Sequence, residues 1–446
     1  MADATLFPLP DPEPARPPPP TLPAAARVLR PNRHQVAWVP QALDALLPPD
    51  HQARAIWALL ERLDLAGFYA TIKATVDRPG RPPADPQVLL ALWVLATVEG
   101  VGSARRLDRL CTEHAAYQWL CGGVPVNYHL LADFRVAHQA ALDALLTELV
   151  GCLMAAGAVT LEEVAQDGMR VRASAGAASF RRKERLEACL EAARAQVERL
   201  AQERERPDRE GDRRQEAAKV RAARERAERV EAALAYLPEA RAAKERQQET
   251  KPLTERAKVT EPRVSTTDPQ ARVMKMPDGG FRPAYNVEFA TDRASGVIVG
   301  VAVTSEGTDA RQAVPMVAQV KERTGRLPKG YLMDGGFATH EAVTALTQEG
   351  VTVYAPVRQP KTHPEGARYQ PHAGDTPEVV RWRARMGTEE GKAVYRHRGA
   401  VAEWANAQVR QHGVRPFTVR GRVKATTVLL VVAVAHNLLR WLALLG

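Results

Sequence analysis

The chain has 446 residues, a net charge of +10 and an isoelectric point near 9.6, with 45% hydrophobic and 26% charged residues. Its length predicts two or three domains, and its basic excess favours a polyanionic partner such as a nucleic acid. No cysteine pair has metal-type spacing, which excludes a cysteine-based zinc site and favours reduced cytosolic thiols. The four cysteines are Cys111, Cys121, Cys152 and Cys189.

The N-terminal third of the sequence predicts an arm followed by a helical domain. Residues 1–35 are rich in Pro and Ala, which predicts a disordered arm, and no apolar signal-peptide segment is present. Residues 36–160 predict an all-helical domain, whose strongest helix has Asp85 as its N-cap and Pro86 in its first turn. Further helices are predicted over Ala104–Cys111, His114–Leu120 and Tyr128–Met154.

Two of these helices, joined by a turn that contains Gly100 and Gly102, fit a helix-turn-helix unit. Arg105, Arg106 and Arg109 would then lie on the exposed face of the second helix, within reach of DNA. A plain helical bundle with a polar outer face fits the same pattern. Both interpretations stay open at this point, with DNA binding as the hypothesis.

A charged helical insertion is predicted at residues 181–260. From Arg181 to Lys258 there are 22 basic and 17 acidic residues, and apolar residues recur at helical spacing before and after a break at Pro207–Gly211. This pattern predicts two antiparallel helices in a protruding hairpin. The near balance of charge favours a solvated, salt-bridged arm over one that follows DNA.

The pattern then changes to strands. Alternation over Pro283–Ala290 and a β-branched run over Gly296–Val303 predict a hairpin. Short strands are also predicted at Val164–Asp167, Tyr331–Asp334 and Val351–Ala355, with helices over Asp309–Thr324 and Thr339–Glu349. The order β, helical insertion, β-β, α, β, α, β, α predicts a mixed α/β sheet with helices on its faces.

Three acidic residues are the candidates for a catalytic metal site. Asp167 and Asp334 are predicted at strand ends, each followed by Gly, where open α/β sheets place their chemistry and where glycine leaves room for a large substrate. Glu403 lies in a predicted helix that Thr388 caps and Gly413 ends. Carboxylates of this kind could hold two Mg²⁺ ions for phosphodiester chemistry. Alternatives for the third ligand are Glu306 and Asp309 and, less favoured, Asp375 and Glu378.

The region around Glu403 is basic. From Arg381 to Lys424 there are eleven Lys or Arg residues against three acidic ones, a net charge of +8. Arg396 and Arg410 lie seven residues before and after Glu403, so they share one stripe of the helix. That stripe suits a carboxylate beside a phosphate backbone, although a salt-bridged surface glutamate would give the same pattern.

Three aromatic or imidazole residues near the C-terminus admit two interpretations. Trp382 and Trp404 could stack on splayed bases or pack in the core. His436 lies on an apolar face and is predicted to be a core residue rather than a ligand. The apolar run Thr426–Leu445 is interrupted by polar residues, so its uninterrupted length favours a buried core helix over a membrane span.

The segment Tyr395–Glu403, continuing to Arg410, resembles the Tyr-x-x-Arg … Glu … Lys signature of bacterial insertion-sequence DDE transposases. The gap between Arg398 and Glu403 is one residue longer than in the commonest form, and Arg410 stands where Lys is usual. Four other segments are also similar to that family, in matching order. They are Pro86–Arg135, Ser265–Arg272, Tyr331–Phe337 and Ala435–Leu438.

The resemblance implies a ribonuclease-H-like catalytic domain over 161–446, with Asp167, Asp334 and Glu403 holding two Mg²⁺ ions for which Mn²⁺ could substitute. It further implies that Tyr395, Arg398 and Arg410 contact DNA near the scissile phosphate. The expected activity is cleavage at transposon ends and joining of the 3′-hydroxyl to target DNA by a homodimer assembled on DNA. A cytoplasmic, nucleoid-associated bacterial protein without a membrane partner is expected. A nuclease without strand transfer, and a non-catalytic DNA-binding protein on the same scaffold, remain as alternatives.

Overall fold

A six-stranded mixed sheet is the centre of the computed structural model. The structure describes residues 34, 42–74, 82–204, 213–249, 259–358, 366–412 and 416–446. The predicted arm 1–35 and the cap Gly413 therefore lie outside the described residues, apart from His34. Residues Leu43–Gly446 cluster as one compact unit.

The strands of the described chain include three short ones that the sequence pattern did not predict, β2, β3 and β4. In chain order they are β1 Glu163–Arg172, β2 Phe180–Arg181, β3 Val264–Ser265, β4 Arg272–Lys275, β5 Phe281–Asp292, β6 Ile298–Thr304, β7 Gly330–Leu332 and β8 Thr352–Tyr354. The main sheet has the order β4-β5-β1-β7-β8, and β6 pairs with β5 beside β4. β5 runs antiparallel to both β1 and β6. β7 runs parallel to β1, and β8 runs parallel to β7.

The helices cover both ends of the chain and the insertion. They are α1 Gln52–Leu60, α2 Ala66–Tyr69, α3 Pro86–Val98, α4 Ala104–Glu113, α5 Ala115–Cys121, α6 Tyr128–Ala137, α7 Gln139–Ala155, α8 Lys183–Arg204, α9 Arg213–Ala235, α10 Leu237–Glu249, α11 Ala313–Thr324, α12 His340–Gln348, α13 Pro377–Gly387, α14 Glu389–Gln411 and α15 Arg422–Leu445. The mixed α/β class and the helical N-terminal region are thereby confirmed.

Two predicted helices were wrong in their extent. The single helix expected over Tyr128–Met154 is two helices, α6 and α7, bent by 68° at His138. The helix expected from Asp309 begins only at Ala313, because the backbone at Arg311 has a φ of 74° and Asp309 accepts a turn hydrogen bond from Gln312. A residue other than glycine with positive φ cannot continue a right-handed helix.

In the described part of the insertion, α8 and α9 pack against each other as predicted, and a third helix, α10, follows; the predicted break Pro207–Gly211 lies outside the described residues. An ion pair of 2.6 Å between Arg194 and Glu231 links α8 to α9, and Leu186 and Val230 belong to a small apolar cluster between the helices. The third helix, α10, returns to the sheet, where Arg246 pairs with Glu306 at 2.5 Å. The charged residues of this region therefore serve in part as ion pairs, as the balanced composition indicated.

The helical region and the sheet share one hydrophobic core. Arg323 of α11 is buried, donates to the carbonyl of Val299 in β6 and pairs with Asp143 of α7. A buried arginine is stable only when such partners meet its donors. This contact joins the helical region to the sheet, so the two regions pack directly against each other.

The C-terminal helix α15 has 24 residues and by length and composition could cross a membrane. Its burial agrees with the predicted core helix. Its segment Ala425–Leu438 is largely buried within the protein. There Nε2 of His436 donates to the carbonyl of Gly296 at 2.9 Å, and the buried ring confirms its prediction as a core residue. Core helices of soluble proteins share this length and composition. The described pair α6 and α7, taken as one bent span, would also be long and apolar enough to cross a membrane.

Candidate active site

Asp167 and Asp334 lie at the edge where the parallel pairing of β1 and β7 stops. The last paired residues are Ala165 and Leu332, and each aspartate follows its strand's last paired residue by two positions. The sequence pattern predicted Asp167 at the end of β1. This prediction was wrong, because the pairing of β1 with β5 continues to Arg172. Asp167 and Asp334 nevertheless lie together in the sheet, at the carboxyl end of β7.

Helix α14 delivers two side chains to Asp167. Arg398 donates from Nη2 to Oδ1 of Asp167 at 2.8 Å, and Asn406 donates from Nδ2 to Oδ2 at 2.7 Å. Thr388 caps this helix as predicted, with its hydroxyl accepting from the amide of Gly391. Both carboxylate oxygens of Asp167 are thus held by one helix, on the face of the sheet where Ala165 and Leu332 pack against Val394.

The charges around Asp167 oppose one another. Burial raises the pKa of Asp167 above its ordinary value, and the charges of Asp334 and Asp309 raise it further, while Arg398 lowers it. A carboxylate whose pKa is raised by neighbouring carboxylates is a group that gains from an added cation. Arg398 supplies one positive charge against the negative charges of these three acidic side chains.

Tyr395 joins the same cluster. Burial raises the pKa of its hydroxyl, and the charge of Asp334 raises it too, whereas Arg398 lowers it through its charge and a hydrogen bond. The structure therefore brings together four of the predicted residues, Tyr395, Arg398, Asp167 and Asp334. Asp167 lies more than 150 residues before the others in the sequence, so their meeting is a property of the fold.

Glu403 lies on α14 between the two residues that hold Asp167. Its side chain is exposed, and its Oε1 lies 3.7 Å from the position that a Cβ at Gly399 would occupy. The carboxylate therefore lies back along the helix toward Gly399. Neither Arg398 nor Asn406 holds it, so its role as the third acidic residue stays a prediction.

A second polar cluster lies on the other face of β1. There Gln166 donates to Glu288 and accepts from Tyr331, while Asn286 donates to Glu288 at 2.9 Å and to Asp309 at 2.8 Å. Glu288 is fully buried, and burial, followed by the charge of Asp309, raises its pKa to about 8. At neutral pH this cluster contains a carboxyl group that is largely protonated.

Asp309 lies between Gly168 of β1 and Gly336 of the turn that follows β7. A Cβ at Gly168 would lie 3.5 Å from Oδ1 of Asp309 and 3.3 Å from Oδ1 of Asn286, and a Cβ at Gly336 would lie 3.4 Å from Oδ2 of Asp309. The space beside Gly168 is therefore filled by the protein's own polar side chains. The prediction that this glycine leaves room for substrate was wrong at that position.

The other alternative ligands are engaged elsewhere. Glu306 pairs with Arg246 and, at 3.6 Å, with Arg272. Asp375 pairs with Arg383 at 2.7 Å and Glu378 with Arg381 at 2.9 Å, both around α13. Of the alternatives, Asp309 alone is electrostatically coupled to Asp167.

The predicted DNA-binding residues are mostly exposed but lie in different settings. Arg396 pairs with Glu389 at 3.3 Å, and Arg410 is exposed in the last turn of α14. Arg106 and Arg109 are exposed on α4. Arg105 lies on the same helix, and its guanidinium is 5.1 Å from the ring of Tyr128.

Base stacking by the two tryptophans has little room. Trp382 is buried and donates to the carbonyl of Ala355 at 3.1 Å. Trp404 is partly buried, and its ring contacts Arg440 and His436. The core-packing interpretation is therefore confirmed for Trp382, and for Trp404 two protein groups already occupy its ring.

The chemistry of the donor set fits a hard divalent cation, since Asp167, Asp334 and Asp309 offer only oxygen ligands. Asn406 adds a buried amide oxygen, Oδ1, that has no hydrogen-bond partner. Within the described part of the chain, no group of three His, Cys, Asp or Glu side chains is arranged to hold a metal ion. Hydrogen bonds from Arg398 and Asn406 occupy both oxygens of Asp167.

Sequence reasoning missed Asn406, Asn286 and Glu288. Asn406 follows Arg398 by eight residues and so falls near the same helical face, which is a signal that spacing could have given. Glu288 lies in an alternating strand at a position expected to be polar and solvated, and nothing local shows that it is buried beside Gln166 and Asn286.

Two family models match the chain. A model described as a transposase domain (DUF772) matches residues 41–137, and a model described as a transposase DDE domain matches residues 361–442. Comparisons with curated proteins and with solved structures gave no match. The first matched segment contains α4 with its arginines, and the second contains Tyr395, Arg398 and Glu403. The two matches, in this order, support an insertion-sequence DDE transposase.

Proposed function

We propose that this transposase binds the ends of an insertion sequence, cleaves the DNA there and joins the freed 3′-hydroxyl to target DNA. The observation that carries the proposal is the meeting of Asp167 and Asp334 at one sheet edge with Tyr395 and Arg398 of the matched DDE domain. The strand order β6-β5-β1-β7-β8, with β5 antiparallel to its neighbours, supports a ribonuclease-H-like core. Such a core would act in the bacterial cytoplasm, where the DNA substrate lies.

Transposases of the DDE family usually use divalent metals. Asp167, Asp334 and Glu403 would hold two Mg²⁺ ions, or Mn²⁺ in their place. When bound, these ions would activate the attacking oxygen and stabilise the leaving one.

The chain's own basic residues supply the rest of the site. Arg398 already contacts a carboxylate oxygen, and its Nε is buried without a partner. A DNA phosphate is an acceptor that a guanidinium can bind through several donors at once. Arg398 would therefore orient the scissile phosphate, and the hydroxyl of Tyr395 would donate a hydrogen bond to it. Arg396 and Arg410 would bind the flanking phosphates along the stripe of α14.

The synapsis of two DNA ends favours a homodimer on DNA. In this arrangement the N-terminal helical region would contribute end recognition through Arg105, Arg106 and Arg109 of α4. Phosphate contacts of this kind make affinity fall steeply with salt, because each contact releases condensed counterions.

A Mg²⁺-dependent cleavage and joining assay on DNA from the ends of the element tests the proposal. Asp167→Asn, Asp334→Asn and Glu403→Gln are each expected to lower the yield of joined products by about 10²–10³-fold, the loss typical of groups that stabilise charge in the transition state. Glu378→Gln is the matched control for Glu403→Gln, since Glu378 is paired with Arg381 on a neighbouring helix.

Three outcomes would contradict parts of this assignment. Cleavage without joining by the wild type would favour a nuclease. Binding without cleavage under any metal would favour a non-catalytic DNA-binding protein. Persistent joining by Glu403→Gln would exclude Glu403 and make Asp309 the candidate for the third acidic residue.

A further inference from the structure

Asn406 holds Asp167 but belongs to no motif. The residue is 5% exposed, and its Nδ2 donates to Oδ2 of Asp167 at 2.7 Å. Its Oδ1 is buried without a hydrogen-bond partner. An amide buried with one atom unpaired costs stability, so a purely structural asparagine would be expected to pair both atoms.

Asn437 shows what a structural asparagine looks like in this chain. It is fully buried on α15, accepts from the amide of Ile298 at 2.9 Å and donates to the carbonyl of Ile298 at 2.8 Å. Both of its polar atoms are satisfied by the backbone of β6. Asn406 differs in both respects, because its partner is an acidic side chain and its oxygen is left over.

The position of Asn406 on α14 also matters. Arg398 and Asn406 each take one oxygen of Asp167, and Glu403 lies between them in the sequence, three residues before Asn406. With a rise of about 1.5 Å per residue, three residues place Glu403 about 4.5 Å along the helix axis from Asn406. The hydrogen bond to Asp167 therefore fixes the axial position of Glu403 on α14 relative to Asp167.

We propose that Asn406 is a positioning residue of the catalytic site. It orients the carboxylate of Asp167 and anchors α14 to β1, so that Glu403 is held at the edge where Asp167 and Asp334 lie. Its unpaired Oδ1 receives a donor when the site is filled. This inference rests on the proposed function, because it assigns Asn406 to the metal site of that reaction.

The test measures Mn²⁺ binding to the full-length, DNA-free protein by the loss of the free-ion EPR signal. Asn406→Leu keeps the volume and removes both polar atoms, and Asn406→Ser keeps a small polar group too short to reach Asp167. Residues that orient metal ligands typically change metal affinity by about 10–100-fold, and both variants are expected to weaken Mn²⁺ binding by that factor. Affinity for end DNA in EDTA is expected to stay at the wild-type value.

Asn437→Ser is the matched control, expected to lower the melting temperature while leaving Mn²⁺ affinity unchanged. Wild-type Mn²⁺ affinity in both Asn406 variants, with binding abolished by Asp167→Asn, would overturn the inference and leave the proposed function intact. A wild type that binds no Mn²⁺ and joins no DNA would instead overturn the proposed function, and the inference with it.

Discussion

Gln166 and Asp167 are neighbours in β1, yet their side chains lie on opposite faces of the sheet. The polar groups are fully paired on one face and partly unpaired on the other. On the face of α11, Gln166 belongs to a network in which Glu288 is fully buried and accepts from two amides. On the face of α14, Asp167 is partly exposed, and its partners Arg398 and Asn406 keep buried polar atoms without a partner. The closed network is expected to control stability, and the open one to control binding.

The largest effect expected from this comparison is a pH-dependent loss of stability caused by Glu288. Its pKa is raised from 4.5 to about 8, so between these values the folded protein keeps a proton that the unfolded chain releases. The free energy of unfolding should therefore fall as the pH rises through that window. Glu288→Gln removes the titration, and its stability relative to wild type should increase by roughly 4 kcal/mol between pH 5 and pH 8.

Urea denaturation of both proteins at several pH values between 5 and 8 measures this difference. Gln166→Leu serves as a control that disturbs the same network without removing a titrating group. A constant difference between wild type and Glu288→Gln across the pH range would show that Glu288 is ionised in the folded protein, and the contrast between the faces would disappear.

A smaller effect tests whether the two faces are coupled. The charge of Asp309 raises the pKa of both Glu288 and Asp167, although burial is the larger cause for each. Asp309→Asn should lower the pKa of Glu288, so that the loss of stability ends below pH 8 and its total is reduced. The ¹³C carboxyl shift of labelled Glu288, followed through a pH titration, reads this directly. An unchanged titration midpoint would mean that the charge of Asp309 does not act on Glu288.

Much of this fold follows from local pattern. Caps predicted at Asp85 and Thr388 are present, and the β5–β6 hairpin, α12 and the helical insertion lie where apolar periodicity placed them. These features depend on neighbouring residues, which is why a single sequence can indicate them. The bend at His138 depends on packing, and the late start of α11 depends on the φ angle of one residue. Hydrophobic periodicity predicts neither feature.

The candidate site divides in the same way. Asp334 could be proposed because it follows the end of β7, and Arg398 because it belongs to a recognisable motif, whereas Asp167 was proposed from a strand end that the structure places at Arg172. Asn406 and the Glu288 network could not be predicted from the sequence, because their roles depend on partners in other helices and strands. Glu288 lies 122 residues from Gln166 in the sequence, and only the pairing of β1 with β5 makes them neighbours.

The smallest effect concerns a third set of polar groups, on α4, which are open to solvent like the face of α14. Leu107 and Cys111 bury one side of this helix, and Arg106 and Arg109 are exposed on it. Replacing both arginines by alanine should leave the melting temperature unchanged and weaken binding to end DNA. The slope of log affinity against log salt should decrease by about 1 for each phosphate that the variant no longer neutralises. Arg326→Ala is the matched control, since this exposed arginine lies before β7, at the opposite end of that strand from Asp334. Equal salt slopes for the α4 variant and the wild type would place end recognition elsewhere and leave the plain helical bundle as the correct interpretation of this region.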